Sequence, residues 1–200
     1  TIARTGATIS GAPNFAYDLC TRKTTPEQRA ALNLSRWSTA FCGAEPIDAQ
    51  TLNDFAGAFA PAGFRSKSFY PCYGLAEATL MVSGGKGPSG LRVIHADPAR
   101  LTANVLAVAA SPADARTLVS CGRPLGNQDV RVVHPQTFAV CEDGHIGEIW
   151  IRGGSVAAGY WRHPEELWQT FGGRLADGSG PYLRTGDLGA FRDGELFVTD

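Results

Sequence analysis

No stretch of this chain reaches the ~18 consecutive apolar residues of a membrane span, and no secretory signal opens it. It also lacks an excess of either charge. Lys and Arg number 18 against 19 Asp and Glu, a net of −1, which predicts no strong pull toward nucleic acid or an anionic membrane. The five cysteines, Cys20, Cys42, Cys72, Cys121 and Cys141, fit no zinc spacing, and their odd number argues against a disulfide scaffold. They read as buried thiols in a reducing compartment, which makes the cytoplasm the expected location. His95, His134, His145 and His163 lie in separate segments without metal-ligand spacing. Ser83-Gly84-Gly85-Lys86-Gly87 sets a lysine among glycines, but not in Gly-x4-Gly-Lys-Ser/Thr order, and Pro88 follows. A P-loop is therefore excluded. There is no internal repeat.

What is present suits a globular chain of one domain or two small ones. Of 200 residues, 44% are hydrophobic, enough for a real core. Glycine (24) and proline (12) favour tight turns over a helical bundle. A strand-like piece leads to Gly11-Ala12-Pro13-Asn14, with a helix expected from Phe15 and Asn14 as its cap. Thr25-Pro26-Glu27 is a second helix start. Residues 37–42 read as a strand ending at Gly43-Ala44-Glu45-Pro46. A helix follows from Asp48, burying Leu52, Phe55, Ala56 and Phe59 at helical spacing, and Pro61 and Gly63 stop it. Residues 68–70 form another short strand before Pro71-Cys72-Tyr73-Gly74, and residues 77–82 are expected to start a helix. Such strand–loop–helix units predict an α/β fold, a mostly parallel sheet with covering helices.

Beyond Cys121 the texture changes. Short segments 130–134, 148–152, 182–185 and 195–199 alternate with Asp143-Gly144, Asp177-Gly178 and Asp193-Gly194, which are antiparallel turn signals. The expectation is an α/β unit over 1–120 and a small antiparallel, barrel-like β unit over 121–200. Between them, 91–95 and 104–109 read as possible strands of a compact appendage on the α/β part.

Three loops are placed to carry chemistry, because ligands in open α/β sheets gather at the carboxyl ends of strands. They are Gly43-Ala44-Glu45-Pro46, then Tyr70-Pro71-Cys72-Tyr73-Gly74-Leu75-Ala76-Glu77, then Leu183-Arg184-Thr185-Gly186-Asp187-Leu188. Each has a plainer reading: Gly43 serves a turn, Tyr70 and Tyr73 are half-buried packing, Glu77 caps a helix and Asp187 forms an Asx turn. The functional reading sets Tyr73 against a flat ring, Glu77 on a metal that carries phosphate, and Asp187 on ribose hydroxyls.

In these loops the chain resembles the adenylate-forming enzymes, which include acyl-CoA synthetases, luciferases and peptide-synthetase adenylation domains. Tyr73-Gly74-Leu75-Ala76-Glu77 is similar to their aromatic-Gly-x-Thr-Glu motif, with Ala76 in the threonine position. Gly147-Glu148-Ile149-Trp150-Ile151-Arg152-Gly153 with Gly159-Tyr160-Trp161 resembles a second motif, and Arg184-Thr185-Gly186-Asp187 a third. A finer resemblance is to the fatty acyl-AMP ligases, in residues 12–20, in Gly43-Ala44-Glu45-Pro46 and in residues 69–79. The long segment between Glu77 and Cys121 is similar to the insertion of that group, placed at about 84–118.

The resemblance implies activation of a long-chain fatty acid with ATP and Mg2+, giving acyl-adenylate and pyrophosphate. Transfer to an acyl carrier protein of a polyketide or peptide synthase would follow; the rival readings are an acyl-CoA synthetase or peptide-synthetase adenylation domain, and a non-catalytic nucleotide-binding fragment. It implies that Gly43, Ala44 and Glu45 line the adenine and that Tyr73 stacks on it. Gly74, Leu75 and Ala76 would border the α-phosphate and acyl carboxylate, Glu77 would hold Mg2+, Asp187 the ribose, and Phe15 would flank the acyl tunnel. It also implies a phosphate loop upstream of Thr1 and a mobile domain after a hinge at Asp200.

Overall fold

The computed structural model describes residues 1–87 and 90–199; the hinge assigned to Asp200 lies outside them. A short helix α1 (Ile2–Thr5) precedes strand β1 (Ile9–Ala12) and helix α2 (Asn14–Lys23). Asn14 is the first helical residue rather than the cap. Its side-chain oxygen instead accepts from the backbone N of Asp48 at 3.2 Å. Helix α3 (Pro26–Ala30) has the expected start: Thr25 and Gln28 exchange a reciprocal capping box, with Pro26 in the first turn.

Strand β2 (Thr39–Cys42) and helix α4 (Ala49–Phe59) follow. The Asp48 carboxylate caps α4 by accepting from the N of Gln50 and Thr51. Leu52, Phe55 and Phe59 of α4 are buried with Tyr17, Trp37, Phe64 and Phe69 in one largely aromatic core. Edge-to-face contacts, such as Tyr17 on Phe55 at 5.0 Å between centroids, order it.

Strand β3 (Phe69–Leu75) runs parallel to β2, and β2 parallel to β1. The helix expected over 77–82 is absent. Residues Ala76–Ala78 make one 3-10 turn, and the chain returns at once as strand β4 (Leu80–Gly84), antiparallel to β3. The physical reason is connectivity. Parallel strands need a crossover of a dozen or more residues, and a short turn permits only an antiparallel return. The alanines and Leu80-Met81-Val82 favour helix locally, but pairing on both sides decides otherwise. The first sheet is consequently mixed rather than mostly parallel, in the order β1-β2-β3-β4-β7, with β7 (Arg123–Pro124) at its end.

The segment before β7 contains β5 (Val93–Ala96), helix α5 (Pro98–Thr102) and β6 (Arg116–Val119), with β5 and β6 forming an antiparallel pair. Residues 104–109 make only single bridges, Val105 to His145 and Ala96 to Val108. Ile94, Ala96, Leu106 and Leu118 bury themselves against Ile146, Ala190 and Phe197. The appendage is compact, but its core is shared with the later sheet rather than the earlier one.

That later sheet is antiparallel, in the order β11-β10-β9-β8. Its strands are β8 (Asp129–Val133), β9 (Gly147–Arg152), β10 (Leu183–Arg192) and β11 (Glu195–Val198). Asp193-Gly194 closes the last hairpin with both residues at positive φ, as its sequence demands. The two sheets join along Cys121 and Gly122, where Cys121 N donates to Leu196 O and Leu196 N to Gly122 O, both at 2.8 Å. Cys42 and Cys121 are buried, Cys72 and Cys141 half-buried, and Cys20 exposed. The expectation of uniformly buried thiols thus fails at Cys20, which lies on α2 near its solvent side.

Candidate active site

Tyr73 is the residue on which the site is built. Its ring is buried in the core that joins the sheets, beside Val82, Ile149 and Leu183. Its hydroxyl donates to Asp187 Oδ2 at 2.6 Å. Burial first, and the Asp187 hydrogen bond second, push the phenol well above its ordinary range, so it stays a donor.

Asp187 reaches that position through a β-bulge. The register of β10 on β9 shifts between Arg184 and Leu188, and Gly186 sits at φ +80° with open space where a Cβ would be. Glycine is needed there for backbone conformation rather than for room. Glu148 holds the bulge: its carboxylate accepts from Arg184 Nη2 at 2.9 Å and from Gly186 N at 3.2 Å. The Thr185 hydroxyl donates to Ile149 O and accepts from Asp187 N. Sequence reasoning gave Glu148 no role. A glutamate between apolar strand residues was the available signal, because a buried carboxylate requires partners.

Glu77 lies on the 3-10 turn after β3. Thr79 and Leu80 follow it with φ of +56° and +76°, an uncommon conformation for non-glycine residues. A Cβ on Gly74 would lie 1.6 Å from Leu80 O, so only glycine lets β3 and β4 close over this turn. Glu77 Oε1 accepts from the Tyr160 hydroxyl at 2.6 Å. That hydrogen bond, with some burial, pushes the Tyr160 phenol up to about 12.

Two cavities flank Tyr73. One, of about 540 Å³, is lined by Leu75, Glu77, Glu148, Tyr160, Arg184 and Asp187 among others. Its three carboxylates face a single guanidinium, Arg184, which is already engaged by Glu148. The other, of about 450 Å³ and mostly apolar, is lined by Gly43, Ala44, Cys72, Tyr73 and Gly74, with Phe41 and Leu80. The structure therefore brings Gly43, Ala44, Tyr73 and Gly74 together, and Leu75, Glu77 and Asp187 together, with Tyr73 spanning the two groups.

Three residues singled out from sequence fall elsewhere. The Glu45 carboxylate turns to the start of α2, where it accepts from Phe15 N at 2.6 Å. Phe15 is 59% exposed, and Ala76 is exposed on its turn. Gly43 meets a plain steric demand, since a Cβ there would lie 2.7 Å from Cys72 O.

Residues 1–161 match the family described as "AMP-binding enzyme". The medium-chain-fatty-acid–[acyl-carrier-protein] ligase JamA of Moorena producens is 48% identical over all of this chain and 34% of its own length. A putative fatty-acid–CoA ligase, FadD21 of Mycobacterium leprae, is 40% identical over 95% of this chain and 33% of its own. Among solved structures, the fatty acyl-adenylate ligase of L. pneumophila in complex with acyl adenylate and pyrophosphate superposes with a TM-score of 0.92. It is 45% identical, covering 99% of this chain and 35% of that one. The chain thus spans about a third of the length of the curated relatives it matches.

Proposed function

Because this chain belongs to the AMP-binding enzyme family, we propose that the protein carrying it joins a fatty acid to ATP as acyl-adenylate. Pyrophosphate is released, and the acyl group passes to an acyl carrier protein of a polyketide or peptide synthase. The observation that carries this reading is the Tyr73–Asp187 hydrogen bond, which brings the Tyr73–Glu77 and Arg184–Asp187 motifs to one place across two sheets.

In this reading adenine lies along the Tyr73 ring beside Gly43 and Ala44, and the ribose hydroxyls donate to Asp187. Gly74, Leu75 and Ala76 border the α-phosphate and the acyl carboxylate. Phe15 flanks the acyl entrance, and Glu45 supports the adenine loop by fixing it to α2. Three carboxylates beside one committed guanidinium suit a hard dication that takes oxygen ligands from a carboxylate and from phosphates. Glu77 would hold that Mg2+, which would supply charge neutralisation on the phosphates when bound. Tyr73 and Asp187 orient the nucleoside, and positioning of this kind carries much of such a reaction. The division into a unit over 1–120 and a β unit over 121–200, with an insertion at about 84–118, belongs to the same reading.

Fatty-acid-dependent exchange of pyrophosphate into ATP by the full-length enzyme tests the first step. JamA is named for medium chains and the acyl-AMP ligase resemblance favours long ones, so acids of both classes are compared. No exchange with either class overturns the reading. The name of FadD21 favours a second reading, thioester formation on CoA. Holo acyl carrier protein and CoA offered side by side separate the two, and faster use of CoA selects the second. Among the described residues no helix is long and apolar enough to cross a membrane.

A further inference from the structure

The loop after β9 touches the Glu77 turn at three points. Ala157 N donates to Glu77 O at 2.7 Å. The Thr79 hydroxyl donates to Ser155 O at 2.6 Å. The third contact is between side chains: the Tyr160 hydroxyl and Glu77 Oε1, 83 residues apart in the chain, at 2.6 Å. Among the described residues no other side chain donates to the Glu77 carboxylate. One of its oxygens is engaged and the other is left to accept from something else.

Tyr160 is itself held. Its ring meets Phe171 edge-on, with centroids 5.2 Å apart and planes at 76°. Phe171 ends a single π-helical turn (Leu167–Phe171) and is buried in the cluster that contains Tyr73, Val82 and Leu183. Such π-turns are rare and occur frequently at functional sites. Gly159, at φ +143°, gives the backbone just before Tyr160 a conformation that favours glycine. The core therefore fixes Phe171, Phe171 fixes the Tyr160 ring, and the ring fixes the hydroxyl against Glu77.

We propose that Tyr160 is a positioning residue for the metal site: its hydroxyl locks the Glu77 carboxylate in one orientation and presents the second oxygen to the divalent cation bound with the nucleotide. This rests on the reading that Glu77 holds that cation. A carboxylate that can turn freely loses rotamer freedom on binding a metal, whereas one already hydrogen-bonded does not. Partners in this outer shell typically contribute 10- to 100-fold to metal affinity. A competing possibility is that the hydroxyl merely occupies Glu77 and that a cation must displace it. The two differ in sign, because losing a competitor tightens metal binding.

The test is Tyr160→Phe in the full-length enzyme, with Mn2+ as the probe. Binding is followed by its electron paramagnetic resonance signal, in the presence of a non-hydrolysable ATP analogue and without fatty acid. Tyr160→Phe should weaken Mn2+ binding about 10-fold and raise the Mg2+ concentration needed for half-maximal exchange by a similar factor. The metal-independent dissociation constant of AMP should stay within about twofold, since the ring and its Phe171 contact remain. Thermal unfolding should shift little, because Tyr160 is 39% exposed. Unchanged or tighter Mn2+ binding overturns the proposal, and so does an equal loss of AMP affinity, which would mark a purely structural role. Glu77→Gln is measured in parallel. If it leaves Mn2+ binding intact, the metal reading of Glu77 falls and the inference falls with it. If Glu77→Gln abolishes binding while Tyr160→Phe changes nothing, only the inference falls.

Discussion

The Tyr73 hydroxyl donates to Asp187 Oδ2 at 2.6 Å across 114 residues of chain, joining the end of a strand in one sheet to a bulge in the other. The ring of Tyr73 thereby lines one cavity while its hydroxyl holds Asp187, which lines the other. A residue in that position both offers a flat face and orients the carboxylate beside it. Tyr73→Phe separates the two contributions. It should cost about 1 kcal/mol of stability and weaken AMP binding roughly 5-fold, by freeing the Asp187 side chain. Equal AMP affinity in calorimetric titrations of wild type and variant would show that the ring alone matters.

Much of this arrangement was legible in the sequence, for identifiable reasons. The start of α3 follows from Thr25 and Pro26, and the hairpin at Asp193-Gly194 from two residues that tolerate positive φ. Leu52, Phe55 and Phe59 show their buried face by spacing. What failed was the stretch after Glu77, where helix-favouring residues form β4 because strands on both sides, β3 and the sequence-distant β7, supply its hydrogen bonds. The same limit hid the roles of Glu148 and Tyr160. Their partners, Arg184 and Glu77, are brought near only by sheet pairing and by the loop after β9.

Glu148 tests whether the bulge is held electrostatically. It is buried, and it meets both the Arg184 guanidinium and Gly186 N. Glu148→Gln keeps the shape but removes the charge facing a partly exposed arginine. A loss of about 2 kcal/mol is expected, together with weaker AMP binding, because Asp187 sits on the same bulge. Lowered thermal stability with unaltered AMP affinity would mean that the bulge keeps its form without the charge.

Asp129 supplies a pH-dependent contribution in the antiparallel sheet. Burial alone would raise its carboxyl, but the Tyr182 hydroxyl, Arg131 and Arg152 together hold it below the ordinary value. A depressed carboxylate stabilises the fold above its unfolded pKa, ~3.9 for Asp, and that contribution disappears as pH falls through the lower folded value. Asp129→Asn should therefore destabilise by about 1 kcal/mol at neutral pH, since Arg131 and Arg152 are half-exposed. The difference from wild type should shrink toward zero as pH falls below the ordinary value. Thermal midpoints of both proteins across pH measure this, and a constant gap contradicts it.

The 200-residue chain by itself should bind nucleotide weakly and not turn over. The cleft beside Asp187 contains Glu77, Glu148 and Asp187 but one cation, Arg184, which Glu148 already engages. A triphosphate placed there is poorly compensated even with Mg2+. Further cations and a closing segment are expected from the rest of the enzyme, as reactions completed by domain closure require. Pyrophosphate release by the purified chain with ATP, Mg2+ and fatty acid would contradict this.

The segment around β5 and β6 offers a test of acceptor choice, provided it is loosened rather than removed. Leu106 is fully buried, and with Ile94, Ala96 and Leu118 it packs on Ile146, Ala190 and Phe197 at the later sheet. Deleting 84–118 would strip that core from the sheet that carries Asp187, so lost activity could reflect lost folding rather than a change of acceptor. Leu106→Ala leaves the backbone in place and opens a cavity, at an expected cost of 2–5 kcal/mol. If the segment restrains movement of a neighbouring domain, weakening its anchorage relaxes that restraint while Tyr73, Glu77 and Asp187 stay where they are. Below the variant's thermal midpoint, fatty-acid-dependent pyrophosphate exchange should persist and acyl transfer to CoA should rise severalfold relative to wild type. Exchange retained with CoA use unchanged would make the segment a packing element of the later sheet with no part in acceptor choice.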